Sequence, residues 1–272
     1  MKLVPVFNIM SGGKYGDALL RELYDKTKQF FPKGFAQKYR YSGSGLLHLP
    51  LEEGSDAYNW VLSQCTEKNL SYCIFENAHF TKSEIEQSEF FDCYLHESFQ
   101  REGTGTYSYG TKYTGCPYCV TGELLTDIFV NKTFVKKSML YVWPERIINE
   151  ELANKITKAG FTGIEFDHRV WDYKGRDMPV YYRMHITNIL PPMSESTWLY
   201  HSGGYCDCGQ PDIYLRSPIK YKKEALQEAK DFNLTCEHVN NIYERQLVVS
   251  KRVRDFIIEN KVYSGFDPII VE

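Results

Sequence analysis

What this sequence lacks narrows its reading first. No window comes near the roughly 20 consecutive apolar residues that a membrane-spanning helix requires, so no such helix is expected. The apolar opening, Met1 to Met10, runs straight into Ser11-Gly12-Gly13-Lys14. It is too short and wrongly flanked for a secretory signal. Charge of one sign is also missing: 32 Lys and Arg stand against 35 Asp and Glu, a net charge of −3. That balance gives no general attraction to phosphate backbones, and no basic patch stands out, so nucleic acid is a disfavoured partner.

The signatures of common catalytic machinery are missing as well. There is no G-x-S-x-G elbow, no phosphate-binding loop, no dinucleotide fingerprint and no H-E-x-x-H. Cys93 with His96 and Glu97 could be drawn into a nucleophile and base. On a strand, however, Cys93 and His96 fall on opposite faces. Asp167-His168 is no better placed, and no enzyme is expected.

What is present is cysteine in an uneven distribution. Four of the eight, Cys65, Cys73, Cys93 and Cys236, sit in largely apolar surroundings with no partner at ligand spacing. They read as small core residues. The other four form two clusters, Gly115-Cys116-Pro117-Tyr118-Cys119 and Gly204-Tyr205-Cys206-Asp207-Cys208-Gly209. Gly and Tyr around each pair suit tight turns that fold sulfur inward. Two thiolates from each arm would make the closed four-sulfur shell of a structural Zn²⁺.

The first arm is a regular C-x-x-C, whereas the second is one residue shorter. Surface thiols or a disulfide are the alternatives. A redox C-x-x-C wants a strand running into a helix, and Pro117 with the glycines suggests a loop. His201 is a reserve ligand. This cysteine usage, in a chain with no evident leader, places the protein in the cytoplasm.

Along the chain, strands are expected at Leu3 to Met10, Leu70 to Phe75 and Phe90 to Leu95, and Leu46 to Leu51 is a short apolar piece. Helical spacing follows Asp17, and a second helix is capped by Ser55. Thr81, three before Glu84, reads as a capping box. A charged helix is expected over Lys220 to Phe232, with Ala225, Leu226, Ala229 and Phe232 inward. A unit also recurs. Arg146 to Phe166 and Leu247 to Pro268 each run from an apolar strand through an N-cap (Asn149, Ser250) into a helix, and then through a glycine into a strand.

Gly103 to Gly110 reads as a boundary between an N-terminal subdomain, 1–110, and a C-terminal one, 111–272. The fold class is α+β, with largely antiparallel sheets and a few helices. The two packed subdomains are expected to join around the cysteine-knuckle metal site.

Between Glu76 and Glu102 seven acids face only Lys82 and Arg101, a local balance of −5. A solvated face explains such a run. A docking surface for a basic partner, built on Glu84, Glu86, Glu89, Asp92 and Glu97, is the sharper reading.

The C-P-x-C knuckle at Cys116 to Cys119, the pair ending in Cys208-Gly209, and the blocks Ile147 to Phe166 and Val248 to Pro268 carry a resemblance. The chain resembles, over roughly its whole length, the double-CXXCG-motif (myxobacterial-type) immunity proteins of bacterial polymorphic and contact-dependent toxin systems. The later blocks also look like the C-terminal part of a related immunity domain. Val120 stands where a glycine would follow the first pair, and the second pair lacks one spacer residue.

The resemblance implies a non-enzymatic cytoplasmic antitoxin that binds and neutralises one cognate toxin, with structural Zn²⁺ on Cys116, Cys119, Cys206 and Cys208. A basic nuclease is the toxin the acidic run would suit. The competing classes are a zinc-dependent enzyme and a zinc-ribbon regulator that binds nucleic acid.

Overall fold

The structure is a computed structural model and describes residues 1–10, 16–33, 45–95, 114–116, 123–142, 145–206, 208–239, 244–262 and 264–272. It is α+β: antiparallel pairing dominates its sheets, with five helices among the described residues. The chain divides into two compact units, one of Met1–Glu86 with Arg216–Pro218, the other of Gln87–Leu215 with Ile219–Glu272.

In the first unit, β1 (Lys2–Met10) is central because its apolar residues bury Val4, Val6, Phe7 and Ile9. α1 (Gly16–Thr27), β2 (Leu46–Pro50), α2 (Asp56–Glu67) and β3 (Ser71–His79) follow. β2 and β3 flank β1, both antiparallel. The helices lay Leu20, Leu23, Val61 and Cys65 onto Phe7, Ile9 and Leu49. Ser55 Oγ accepts the Tyr58 amide at 3.2 Å, so the expected cap starts α2. The capping box also forms. Before α3 (Lys82–Gln87), the Thr81 amide donates to Glu84 Oε2 at 2.8 Å, and the Glu84 amide donates to Thr81 Oγ1 at 3.3 Å.

The second unit contains β4 (Phe90–Leu95), β5 (Ile128–Val130), β6 (Met139–Val142), β7 (Glu145–Asn149), α4 (Glu150–Lys158), β8 (Ile164–Asp172) and β9 (Tyr181–Ile186). β10 (Leu199–Tyr205), β11 (Pro211–Leu215), β12 (Lys220–Tyr221), β13 (Phe232–Val239), β14 (Glu244–Ser250), α5 (Lys251–Glu259), β15 (Ser264–Pro268) and β16 (Ile270–Val271) complete it. Two larger sheets have the orders β5-β8-β9-β7-β6 and β13-β14-β4-β15.

The two recurring sequence blocks adopt one plan. Asn149 Oδ1 accepts the Leu152 amide at 3.0 Å and Ser250 Oγ accepts the Val253 amide at 3.3 Å. Each cap opens a helix of nine residues. In each block the strand before the helix and the strand after it are parallel and held apart by one antiparallel strand. That strand is β9 between β7 and β8, and β4 between β14 and β15. The outer neighbours, β6 on β7 and β13 on β14, are also antiparallel. The central strand follows the first block in the chain but precedes the second by some 150 positions.

The blocks are locked together at their turns. Asp231 Oδ2 accepts the Thr162 amide at 2.9 Å, while Asp231 Oδ1 accepts from Ser250 Oγ at 2.8 Å. The Phe161 ring packs edge-on against Phe232 and Phe256. Gly163 has φ +82°, and a Cβ there would lie 2.1 Å from the Phe232 carbonyl oxygen. Only glycine lets the backbone approach this closely in a left-handed conformation.

The expected helix over Lys220 to Phe232 does not form. Lys220–Tyr221 pair with β16, Lys223–Leu226 make one 3₁₀ turn, and Phe232 opens β13. Asn233 explains the stop. Its side chain accepts the Lys230 amide and donates to the Lys230 carbonyl, both at 2.8 Å, and it also donates to the Val248 carbonyl at 3.1 Å. Local side-chain bonds of this kind compete with a helical ladder.

Candidate metal centre

Two stretches of the second unit bring three sulfurs together. In the first, the Thr114 amide donates to the Glu123 carbonyl at 3.0 Å and the Glu123 amide donates to Thr114 Oγ1 at 2.9 Å. These bonds join Thr114 to Glu123, and Cys116 stands two residues after Thr114. Cys119, the other expected ligand of this arm, lies outside the described residues. In the second turn, between β10 and β11, the Cys206 amide donates to the Gln210 carbonyl and the Gly209 amide to the Cys206 carbonyl, both at 2.8 Å. Gly209 has φ +86° with open space around it, so the glycine of the Cys208-Gly209 pair is there for backbone conformation.

The Sγ atoms of Cys116, Cys206 and Cys208 all lie within 4.8 Å of one another, and Cys116 Sγ is 3.6 Å from Cys206 Sγ. A disulfide would need ~2.05 Å. Four sulfurs at the ~2.3 Å Zn–S distance stand ~3.8 Å apart along a tetrahedral edge. The observed separation is too long for a disulfide and short enough for two ligands of one ion. Cys116 and Cys206 are half-buried and Cys208 is exposed. The set could hold a metal ion, with Cys119 as the expected fourth donor. His201 lies on β10 and does not join the mutually close set; among the described residues no other His, Asp or Glu does either.

The remaining cysteines separate from these. Cys65 and Cys93 are buried, and burial pushes the Cys65 thiol up to about 11 and the Cys93 thiol higher still. Both stay protonated and inert at neutral pH. For Cys93 this removes the nucleophile from the considered Cys93, His96 and Glu97 grouping, whose other two members lie outside the described residues. Cys73 and Cys236 are half-buried.

The described members of the acidic run stand in different local settings. Glu84 is engaged in the capping box and in an ion pair with the Met1 amino group. Glu86 lies 3.8 Å from Lys82 Nζ. Glu89 is exposed. Asp92, in the central strand β4, is only 4% exposed and presents no charge outward. Glu97 lies outside the described residues.

Sequence reasoning reads a strand at Asp212 to Arg216, where β11 forms, but missed β10, the strand that leads into the second pair of thiols. β10 and β11 form a two-stranded sheet, and β10 is exposed from Tyr200 through Tyr205. Trp198, Tyr200 and Tyr205 all open to solvent there, Tyr205 at 70%. The available signal was compositional: from Ser194 to Leu215 there is no Lys or Arg.

No protein-family model matches this chain, and no curated protein matches it. Its class is therefore set by fold and site alone: an α+β protein with a three-cysteine group able to hold a metal ion. No described helix is long and apolar enough to cross a membrane.

Proposed function

We propose that this chain is an immunity protein: a cytoplasmic, non-enzymatic antitoxin that binds and neutralises a cognate bacterial toxin, its binding scaffold held by a structural Zn²⁺. The observation that carries this reading is the meeting of Cys116, Cys206 and Cys208 from positions far apart in the chain. An all-sulfur set with no carboxylate or imidazole among its described members suits a staple better than a catalytic centre, which keeps a ligand position open for water. When bound, the ion would fix the β10–β11 turn to the Cys116 loop. The cysteines would supply the thiolates that the metal requires.

The resemblance to double-CXXCG-motif immunity proteins supports the same conclusion through the knuckle at Cys116 and the Cys208-Gly209 turn. Binding needs only a rigid surface complementary in shape and charge. The test is co-purification with the product of the neighbouring gene and rescue of cells from that product. Stable complex and protection are expected. A purified chain that neither binds nor protects, or that turns over a substrate in a metal-dependent way, would overturn the reading in favour of a zinc enzyme.

A further inference from the structure

We infer that the three-cysteine group carries two interchangeable crosslinks: a metal ion while its thiols are reduced, and a Cys116–Cys206 disulfide once hydrogen peroxide has oxidised them. This rests on the reading of the group as a structural staple and adds its regulation; it does not depend on which partner the chain binds. Cys116 Sγ stands 3.6 Å from Cys206 Sγ, and Cys208 Sγ lies within 4.8 Å of both. A disulfide needs ~2.05 Å, so about 1.5 Å has to close.

The turn that carries Cys206 has room for that movement. Gly203 and Gly209 stand on either side of it, and a Cβ built on either would meet nothing within 4 Å. The register of β10 on β11 shifts between His201 and Tyr205, so the ladder does not run unbroken into the turn. The bonds from the Cys206 amide to the Gln210 carbonyl and from the Gly209 amide to the Cys206 carbonyl lie within the turn and travel with it. Oxidant access separates these thiols from the core ones. Cys208 is exposed and Cys116 and Cys206 are half-buried, whereas Cys65 and Cys93 are buried.

The chemistry balances with hydrogen peroxide as the only oxidant. One sulfur of the pair attacks a peroxide oxygen, the O–O bond breaks, and a sulfenic acid forms as the departing oxygen leaves as water. The second sulfur attacks the sulfenic sulfur, the S–O bond breaks, and a second water leaves as the S–S bond forms. Two thiols thereby lose two electrons and two protons, and one peroxide becomes two waters. Thiolates are the sulfur form that ligates a metal, so the bond removes two ligands and the ion departs. Only the pair that joins the two stretches, 90 positions apart, reproduces the crosslink the ion made.

Calorimetry of the full chain tests this in four states: reduced with zinc, reduced with chelator, peroxide-treated with chelator, and the last after dithiothreitol. The melting temperature should fall on chelation, recover by roughly 4–16 °C on oxidation, and fall again on reduction. Digestion of the oxidised wild type without reductant should yield a peptide pair joined through Cys116 and Cys206, lighter by two hydrogens. Cys208→Ser should lose the zinc-dependent part of the melting temperature and keep the oxidative recovery. Cys206→Ser should lose both; if it fails to fold, the peptide map of the wild type decides alone.

A bond mapped between Cys116 and Cys119, between Cys206 and Cys208, or between two chains would overturn the inference. So would a Cys116–Cys206 bond with no recovery of the melting temperature. Chelation that leaves the reduced protein unchanged would show that the metal staple itself is wrong. Chelation that lowers the melting temperature, with no recovery on oxidation, would overturn the interchange and leave the metal staple standing.

Discussion

Cys116 Sγ sits 3.6 Å from Cys206 Sγ, although 90 positions separate the two residues in the chain. A metal joining them closes a long loop, and a crosslink of that span contributes roughly 2–4 kcal/mol through the unfolded state. Changing Cys116 or Cys206 to Ser, or removing metal with a chelator, should lower the melting temperature by roughly 4–16 °C. Replacing Cys65, outside the set, should leave chelator sensitivity intact. Calorimetry of the four proteins with and without chelator checks this.

Gly163, in the first recurring block, comes up against the backbone that opens β13. Gly163→Ala adds a Cβ 2.1 Å from the Phe232 carbonyl oxygen and 2.8 Å from Lys230 Cβ, in a left-handed conformation. A loss above ~3 kcal/mol is expected, in the range reserved for strain in a packed site. Gly175→Ala shares the positive φ but meets nothing within 4 Å. Its cost should stay near ~1 kcal/mol. Urea midpoints of the two variants measure the difference.

The matching caps predict an unequal pair. Asn149→Ala should cost about 1 kcal/mol, the ordinary value of a lost N-cap. Ser250→Ala should cost more, because its hydroxyl also donates to Asp231 Oδ1 at 2.8 Å. Equal denaturation midpoints would show that Asp231 gains nothing from that bond.

Asp172 gives a dependence on pH. Its side chain is buried and accepts from Arg176 Nε and Nη2 and from the amides of Lys132, Lys174 and Arg176. The Arg176 guanidinium, seconded by those amides, holds its carboxyl well below the usual carboxylate range. A depressed folded-state pKa stabilises the protein above the unfolded value near 3.9 and loses that contribution as pH falls toward the folded value. Asp172→Asn should therefore melt below wild type at pH 7 by a constant margin down to about pH 5. The two curves should then converge toward pH 2. A margin independent of pH throughout would contradict the assignment.

Local features were legible in the sequence because their causes are local. Ser55, Thr81 with Glu84, Asn149 and Ser250 each start the helix that their spacing announces. The common plan of the two blocks follows from the same signals. Pairing was not legible. Phe90 to Leu95 reads as a strand, but nothing near it says that β14 and β15, far along the chain, enclose it. The charged stretch after Lys220 carries helical spacing, and of the three Asn233 bonds that stop it, two are local to Lys230 and one depends on Val248 being near. Burial was hidden in the same way. Asp92 counts as one acid among seven in the sequence, and only its place in a central strand takes it out of reach of a partner. The cysteines were found because their clustering is itself local, while the aromatic ribbon beside them becomes visible only when β10 is seen to have one neighbour.

Metal content of the purified full chain, taken with that of Cys116→Ser/Cys206→Ser, tests the central claim most directly. About one zinc per chain is predicted for the wild type, with none in the double variant and a matching loss of association with the neighbouring gene product. A metal-free wild type, whose stability and association are both untouched by the double substitution, would contradict it.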